Sequence, residues 1–413
     1  MMINKNLILK FRSTIFAALI VTLFVAPVSA WATAYYVDKD ASGINDGSSW
    51  ANAWHSLATI DWGDIRPGDT IYVSGGSSSK TYFEILSVGA NGIDGNPVLI
   101  TKGTDEGHNG EVILDGEGVR EKLINLDTRE YVIVSNISLT NTNSGRRAAY
   151  IDECSFVTVN NNRIRGTRAG VFVEESEYCT VSANVIETLD FVAEQTDGIY
   201  SQRNKGNIYD GNQIFINNTY EDGHNDGIQS YLDESLIIKN NYIEQINNKT
   251  VNSQGIFCTT LSGTFEVYNN VVYVPNTYNS LIYLMIPSPS FHAIVFSNTL
   301  IGSKWGSIRV EGDDYPVIKN NIAWAYNEGV PLIYTGNTEE VKNNLFYTDP
   351  MLDQNFLPLK DSPALDAGAT LSAPYDRDKT GTLRPEGAGF DIGAYERVVQ
   401  DAPIPPRNLK IVE

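Results

Sequence analysis

The sequence is short of several features on which other proteins rely. Only three of its 413 residues are cysteine (Cys154, Cys179 and Cys258), and they show no metal-ligand spacing. Three thiols cannot all pair with one another, so a disulfide framework is not expected, and buried thiols are. Positive charge is also scarce, with 30 Lys and Arg against 50 Asp and Glu and a net charge of −20. A surface that acidic repels nucleic acid and anionic membranes, so neither is expected as a partner. Long apolar runs are missing after the first 25 residues, which argues against membrane insertion of the rest of the chain. Helical periodicity is rare as well. Glycine, asparagine, tyrosine and β-branched residues take its place and point to an all-β protein rich in turns.

The first 34 residues read as a secretory signal peptide. Lys5, Lys10 and Arg12 precede an apolar run from Ile15 to Val25, followed by small residues around Val28-Ser29-Ala30 and Ala32-Thr33-Ala34. Removing those three positive and no acidic residues takes the net charge from −20 to −23. The expectation is an exported monomer, secreted, periplasmic or on the cell surface. Residues 35–120 read as an N-terminal cap with the opening coils, and 121–348 as repeats. A closing segment then spans 349–397, and an extended tail or linker 398–413.

The repeats decide the fold. An apolar strand followed by asparagine recurs as "YVIVSNISL", "FVTVNNNRI", "CTVSANVI", "IYDGNQIFI", "LIIKNNYIE", "FEVYNNVVY", "IVFSNTLI", "PVIKNNIAW" and "EEVKNNLFY". The asparagine falls at 136, 162, 184, 212, 241, 270, 298, 321 and 344, always 22 to 29 residues apart. Parallel strands stack about 4.8 Å apart, so a side chain repeated once per coil forms a ladder. Asparagine suits such a place because it tolerates a left-handed turn and can hydrogen-bond its own copies. The pattern predicts a single-stranded right-handed parallel β-helix. An amphipathic capping helix is expected around Trp50–Ile60, closing the first coil against solvent and against edge pairing.

A second ladder runs through "RAAYID", "AGVFVE", "DGIYSQ", "DGIQSY", "QGIFCT", "SLIYLM" and "GSIRVE". Alternation sends Val171, Ile199, Ile228, Ile256, Ile282 and Ile308 inward, with Ser201, Ser230 and Cys258 beside them. Tyr150, Phe172, Tyr200, Gln229, Phe257 and Tyr283 then face outward, with Tyr231 alongside.

"RPGDTIYVSGG", "TYFEILSVGANGIDGNPVLITKG" and "GEVILDGEG" look like the opening coils of β-helical polysaccharide lyases, including the chondroitinase-B-like and alginate-lyase group. "DSPALDAGATLSAPYDRDKTGTLRPEGAGFDIGAYE" is similar to a closing segment of secreted bacterial β-helix proteins. With the asparagine coils, these stretches make the chain resemble the secreted bacterial right-handed parallel β-helix proteins of the pectin-lyase-like superfamily. That resemblance implies a polysaccharide or cell-surface glycan as partner. "QTDGI" also resembles the "NTDG" motif of polygalacturonase-like hydrolases, with Gln195 in place of its asparagine and that family's other motifs absent.

The candidate chemistry lies around the third strand of each coil. An outward aromatic strip can stack on sugar rings, or its rings can pack beneath loops. Asp197 and Asp226 occupy equivalent places in neighbouring coils, which suits an acid–base pair, a calcium site with Glu175, or plain Asp-Gly turn chemistry. His224 adjoins them as a candidate general base or as an ordinary loop histidine. Arg146 and Arg168 also fall at equivalent places, with Arg203 nearby. They can grip carboxylates or sulfates, or pair with the acids around them. Three readings follow: β-elimination by a lyase first, with Arg168 among its catalytic residues; hydrolysis through Asp197 and Asp226; or glycan binding without catalysis.

Overall fold

The computed structural model describes residues 32–143, 147–167, 169–188, 196–217, 224–246, 252–285, 291–302, 307–313, 315–325, 333–334 and 340–398. The leader, Arg146, Arg168 and the tail beyond 398 lie outside them. Three parallel sheets of 12, 11 and 10 strands form the walls of a β-solenoid. The first sheet begins with Ala34–Val37, the second with Ser79–Tyr82 and the third with Leu86–Ser87. Each coil visits the third, first and second sheets in turn, as in Ala149–Asp152, Thr158–Asn160 and Arg163–Thr167.

Alternation along each strand supplies the core. In the third sheet Val171 pairs with Ile199, Ile199 with Ile228, Ile228 with Ile256 and Ile256 with Ile282. All five side chains are buried, as are their counterparts Ile164, Ile186, Ile214 and Ile243 in the second sheet. Each contributes about 1.5–3 kcal/mol of transfer free energy, and one continuous cluster runs from Val37 to Ile318. Cys154, Cys179 and Cys258 sit in this core as free thiols. Burial pushes Cys154 up to about 11 and Cys179 up to about 12, which makes them unreactive.

The asparagine turn divides its work between two adjacent residues. In each rung Oδ1 accepts the backbone N–H of the preceding rung, as from Asn212 to Asn241 (2.9 Å) and from Asn241 to Asn270 (2.9 Å). The side-chain amide donates back to a strand carbonyl, as from Asn241 to Tyr209 (2.9 Å). The left-handed conformation belongs to the residue before: Asn161, Ala183, Gly211, Asn240, Asn269, Ser297, Asn320 and Asn343 all have positive φ. Asn136 falls in this class (φ 58°), not in the ladder. The rung in its coil is Ile137, whose N–H donates to Asn162 Oδ1 at 3.0 Å. The sequence repeat misplaced this one rung by a residue because "SNI" and "NNI" look alike locally.

The cap also differs in detail from the expectation. Its only helical turn is a 3-10 turn, Leu57–Thr59. Upstream, Asp46 accepts the Ser48 N–H and Asn45 the His55 N–H, so side chains divert the backbone donors a helix would use. The plug is made by Trp54, Leu57 and Ile60, with Trp54 stacked on Tyr35 at 5.3 Å.

The closing segment doubles back along the asparagine turn. Asn343 donates to Ala367 O, Asn320 exchanges two hydrogen bonds with Ala369, and Asn269 donates to Arg377 O. Lys379 Nζ reaches Asn240 O, and Tyr375 packs edge-on against Tyr268 and Phe296. Ala364 and Ile392 cover Ile301 and Ile322 on the second sheet, while Phe356 lies against Tyr242 and Tyr273.

Candidate functional site

The outer face of the third sheet carries two parallel columns of side chains. Pairing stacks Tyr150, Phe172, Tyr200, Gln229, Phe257, Tyr283 and Arg309 in the first. The second holds Asp152, Glu174, Gln202, Tyr231, Thr259, Met285 and Glu311. These are the outward positions that alternation assigns. The rings nevertheless cover one another: Phe172 and Tyr200 stack at 4.8 Å, and Tyr150 meets Phe172 at 5.7 Å. Tyr150, Phe172 and Gln229 therefore keep only 6–7% of their surface, whereas Tyr231 keeps 38%.

Cations sit over this strip. The Arg147 guanidinium lies 4.2 Å from the Tyr150 ring centre and 4.9 Å from that of Phe172, and Lys122 Nζ lies 4.8 Å from Tyr150. Arg309 covers Tyr283 at 4.5 Å. The acids are answered locally. Glu174 accepts the Tyr150 hydroxyl at 3.0 Å and pairs with Arg203, while Glu311 accepts the Tyr283 hydroxyl at 2.9 Å and pairs with Arg309. Sequence reasoning put weight on Arg203 as a ligand for substrate, but its Nε also holds Glu175 at 2.8 Å.

Glu175 does not meet the two aspartates. It follows the strand Val171–Glu174, whereas Asp197 and Asp226 precede Ile199–Gln202 and Ile228–Tyr231, at the opposite edge of the sheet. The expected calcium trio is therefore not assembled. Among the described residues no group of three or more His, Cys, Asp or Glu could hold a metal ion.

Asp197 and Asp226 do occupy successive rungs, and both are buried, at 2% and 0% exposure. Asp197 Oδ1 accepts the Asp226 N–H at 2.9 Å, and Asp226 Oδ1 accepts the Gln254 N–H at 2.6 Å. Each carboxylate thus caps the backbone of the next coil, the reverse of the asparagine corner, where Oδ1 caps the coil before. Asp226 Oδ2 has no hydrogen-bond partner of good geometry, yet lies 3.3 Å from His224 Nδ1.

His224 is the member that reaches the surface, with 24% of its side chain exposed. The ring meets Phe257 edge-on at 5.3 Å, at the border of the outward column. Burial disfavours both charged forms here: it lowers the His224 pKa, against a raising influence from Asp197, and pushes Asp226 well above the usual carboxylate range. At 3.3 Å the protonation of one group bears directly on the other. In its uncharged state the pair leaves a hydrogen on Nε2. Loss of one proton leaves carboxylate against Nδ1–H, and the basic lone pair then sits on Nε2.

Arg147 and Lys122 are the groove residues that received least weight in the sequence. Lys122 stands one coil before Arg147 at the equivalent place, because Ile124 pairs with Ala149.

Comparison with known proteins bears on the fold. A family model described as NosD, periplasmic copper-binding protein, matches residues 90–281. The structure is similar to pectate lyase Pel9A, with a TM-score of 0.58 and 16% identity, covering 88% of this chain and 96% of that one. It is also similar to a rhamnogalacturonan lyase, with a TM-score of 0.50 and 16% identity, covering 86% and 96%. No curated protein sequence matches the chain. A right-handed parallel β-helix, as in those two lyases, is accordingly the fold of this chain.

Proposed function

We propose that this chain is an exported enzyme that cleaves an acidic polysaccharide by β-elimination, in the groove along the third sheet, with His224 as the base. The observation that carries this reading is the His224–Asp226 pair: a partly exposed imidazole held against a wholly buried carboxylate, at the margin of an aromatic strip. A buried acid behind a histidine fixes its tautomer and orientation, which is what proton abstraction asks of a base. The aromatic edges and the Arg147 and Lys122 cations suit sugar rings that carry carboxylates. Hydrolysis through Asp197 and Asp226 is disfavoured, because both carboxylates are buried and hold backbone N–H groups. The fold shared with lyases agrees with the proposal without choosing the reaction.

The test is incubation with polygalacturonate, alginate and rhamnogalacturonan. β-Elimination produces the ultraviolet absorbance of an unsaturated uronate. Reducing ends without that absorbance would replace elimination by hydrolysis. Retention on a glycan with neither signal would reduce the protein to a binding module.

A further inference from the structure

The closing segment covers the second sheet only in part. Its contacts on the asparagine turn extend from Asn343 to Asn240, and on the sheet itself they reach Tyr242. The earlier coils are left open. There the outer face holds two adjoining depressions, of about 240 and 220 Å³, which share Glu111, Ser138 and Arg163. Arg165 lies at one end of the combined trough and Lys102 at the other.

Arg163 stands apart from the arginines of this acidic chain that are held by a glutamate. Arg120, Arg203, Arg309 and Arg384 each pair with a glutamate. The Arg163 guanidinium makes no ion pair or hydrogen bond among the described residues, and Arg165 only approaches Glu187 at 3.7 Å. Both arginines are exposed on one face of the strand Arg163–Thr167, about 6.6 Å apart along it. That spacing lets two long side chains converge on one anionic group or hold two in succession. Glu111, which lines both depressions, forms no ion pair with either arginine and accepts the Ser138 hydroxyl at 2.6 Å. Its second oxygen can accept a sugar hydroxyl, and half-buried Ile113 offers an apolar floor.

We propose that this trough is a second saccharide site, on a different sheet from the cleavage groove, for a sugar bearing an anionic oxygen group, either carboxylate or sulfate ester. The site rests on the glycan reading given above, and it does not require the chain to be catalytic. It would hold an acidic polymer while another stretch of that polymer lies in the groove.

Calorimetry on the full chain tests it, with tetragalacturonate, a sulfated disaccharide and neutral maltotetraose as probes. The parent is expected to bind at least one anionic probe at the trough and to ignore maltotetraose. Arg163→Gln/Arg165→Gln is expected to weaken that binding event about fivefold to tenfold. The probe affected identifies carboxylate or sulfate. His224→Ala should keep the event intact. An isotherm unchanged by the double substitution, or equal binding of maltotetraose, overturns the site. Cleavage lost in His224→Ala together with such an unchanged isotherm removes the second site and leaves the enzyme reading standing. Arginine-dependent binding without any cleavage does the reverse.

Discussion

The two corners that flank the second sheet are built on opposite plans. The asparagine corner is the same in coil after coil: one left-handed residue, then one buried amide bonded to its copies. The corner leading into the third sheet varies its occupants, from Ala169 to Asp197, Asp226, Gln254 and Ser280, with only the aspartate repeated. Both corners cap backbone with side chains, yet only the variable one places a histidine at the surface against a buried acid. Repetition there gives way to a titratable pair. The difference teaches where to look in a solenoid: at the corner that departs from its own pattern.

The largest expected effect breaks the variable corner. His224→Ala should lower the rate of cleavage about 10²–10⁴-fold while affecting thermal unfolding far less, since the ring is partly exposed. Steady-state rates and melting curves on one preparation check both halves. The pH profile sharpens the point. Activity as a base needs the pair to lose a proton, and burial raises Asp226 and lowers His224. The rate should therefore rise with pH through the titration of the pair, above the ordinary carboxylate range. Asp226→Asn should abolish that dependence; an unaltered profile would remove Asp226 from the base.

Breaking the constant corner should act on stability instead. Asn241→Ala leaves the buried Asn212 N–H without its acceptor and removes one hydrogen bond each from the Asn212 amide, which keeps Val181 O, and from the Tyr209 carbonyl, a loss of about 3 kcal/mol in denaturant unfolding. Activity per folded molecule should hold. A rate loss as deep as that of His224→Ala would end the contrast between the corners.

Phe257→Ala tests the strip beside the histidine. It should weaken glycan binding by about 1 kcal/mol, read as a roughly fivefold rise in Kd, because one ring edge is lost and its neighbours remain.

The smallest effect concerns Lys379, which burial lowers to about 8 where it meets Asn240. Above that value the folded state has released a proton that the unfolded chain keeps until its normal lysine range. Stability should thus rise modestly between about pH 8 and pH 10.4 and be flat in this respect below. Lys379→Met should remove the slope, as melting curves across that interval will record.

The fold was legible because burial repeats. An inward isoleucine every coil has one physical reading, and eight of the nine asparagines stand where the ladder has them. Asn136 was misread because a left-handed turn residue and a ladder residue are the same amino acid one position apart. At the site, sequence brought His224, Asp197 and Asp226 to one edge, since equivalent places in neighbouring coils must adjoin. It could not reveal that both carboxylates are buried, because Asp-Gly looks alike whether its oxygens meet water or the N–H of the next coil. Glu175 was grouped with them although four strand residues separate the two edges of the sheet. The path of the closing segment was illegible too, because its contacts, such as Tyr375 with Glu266, cross more than a hundred residues without any repeat.

That closing segment changes how the molecule should come apart. A solenoid held only by neighbouring coils can fray from its end, one coil at a time, and its stability is close to a sum of local terms. Here Ala367, Ala369, Arg377 and Lys379 tie the turns at Asn343, Asn320, Asn269 and Asn240 to a single length of chain. The last coils cannot peel away singly without first lifting the strap from all of them. Hydrogen exchange across these coils should therefore appear as one block that opens together, while the opening coils before Asn240 are free to exchange in steps.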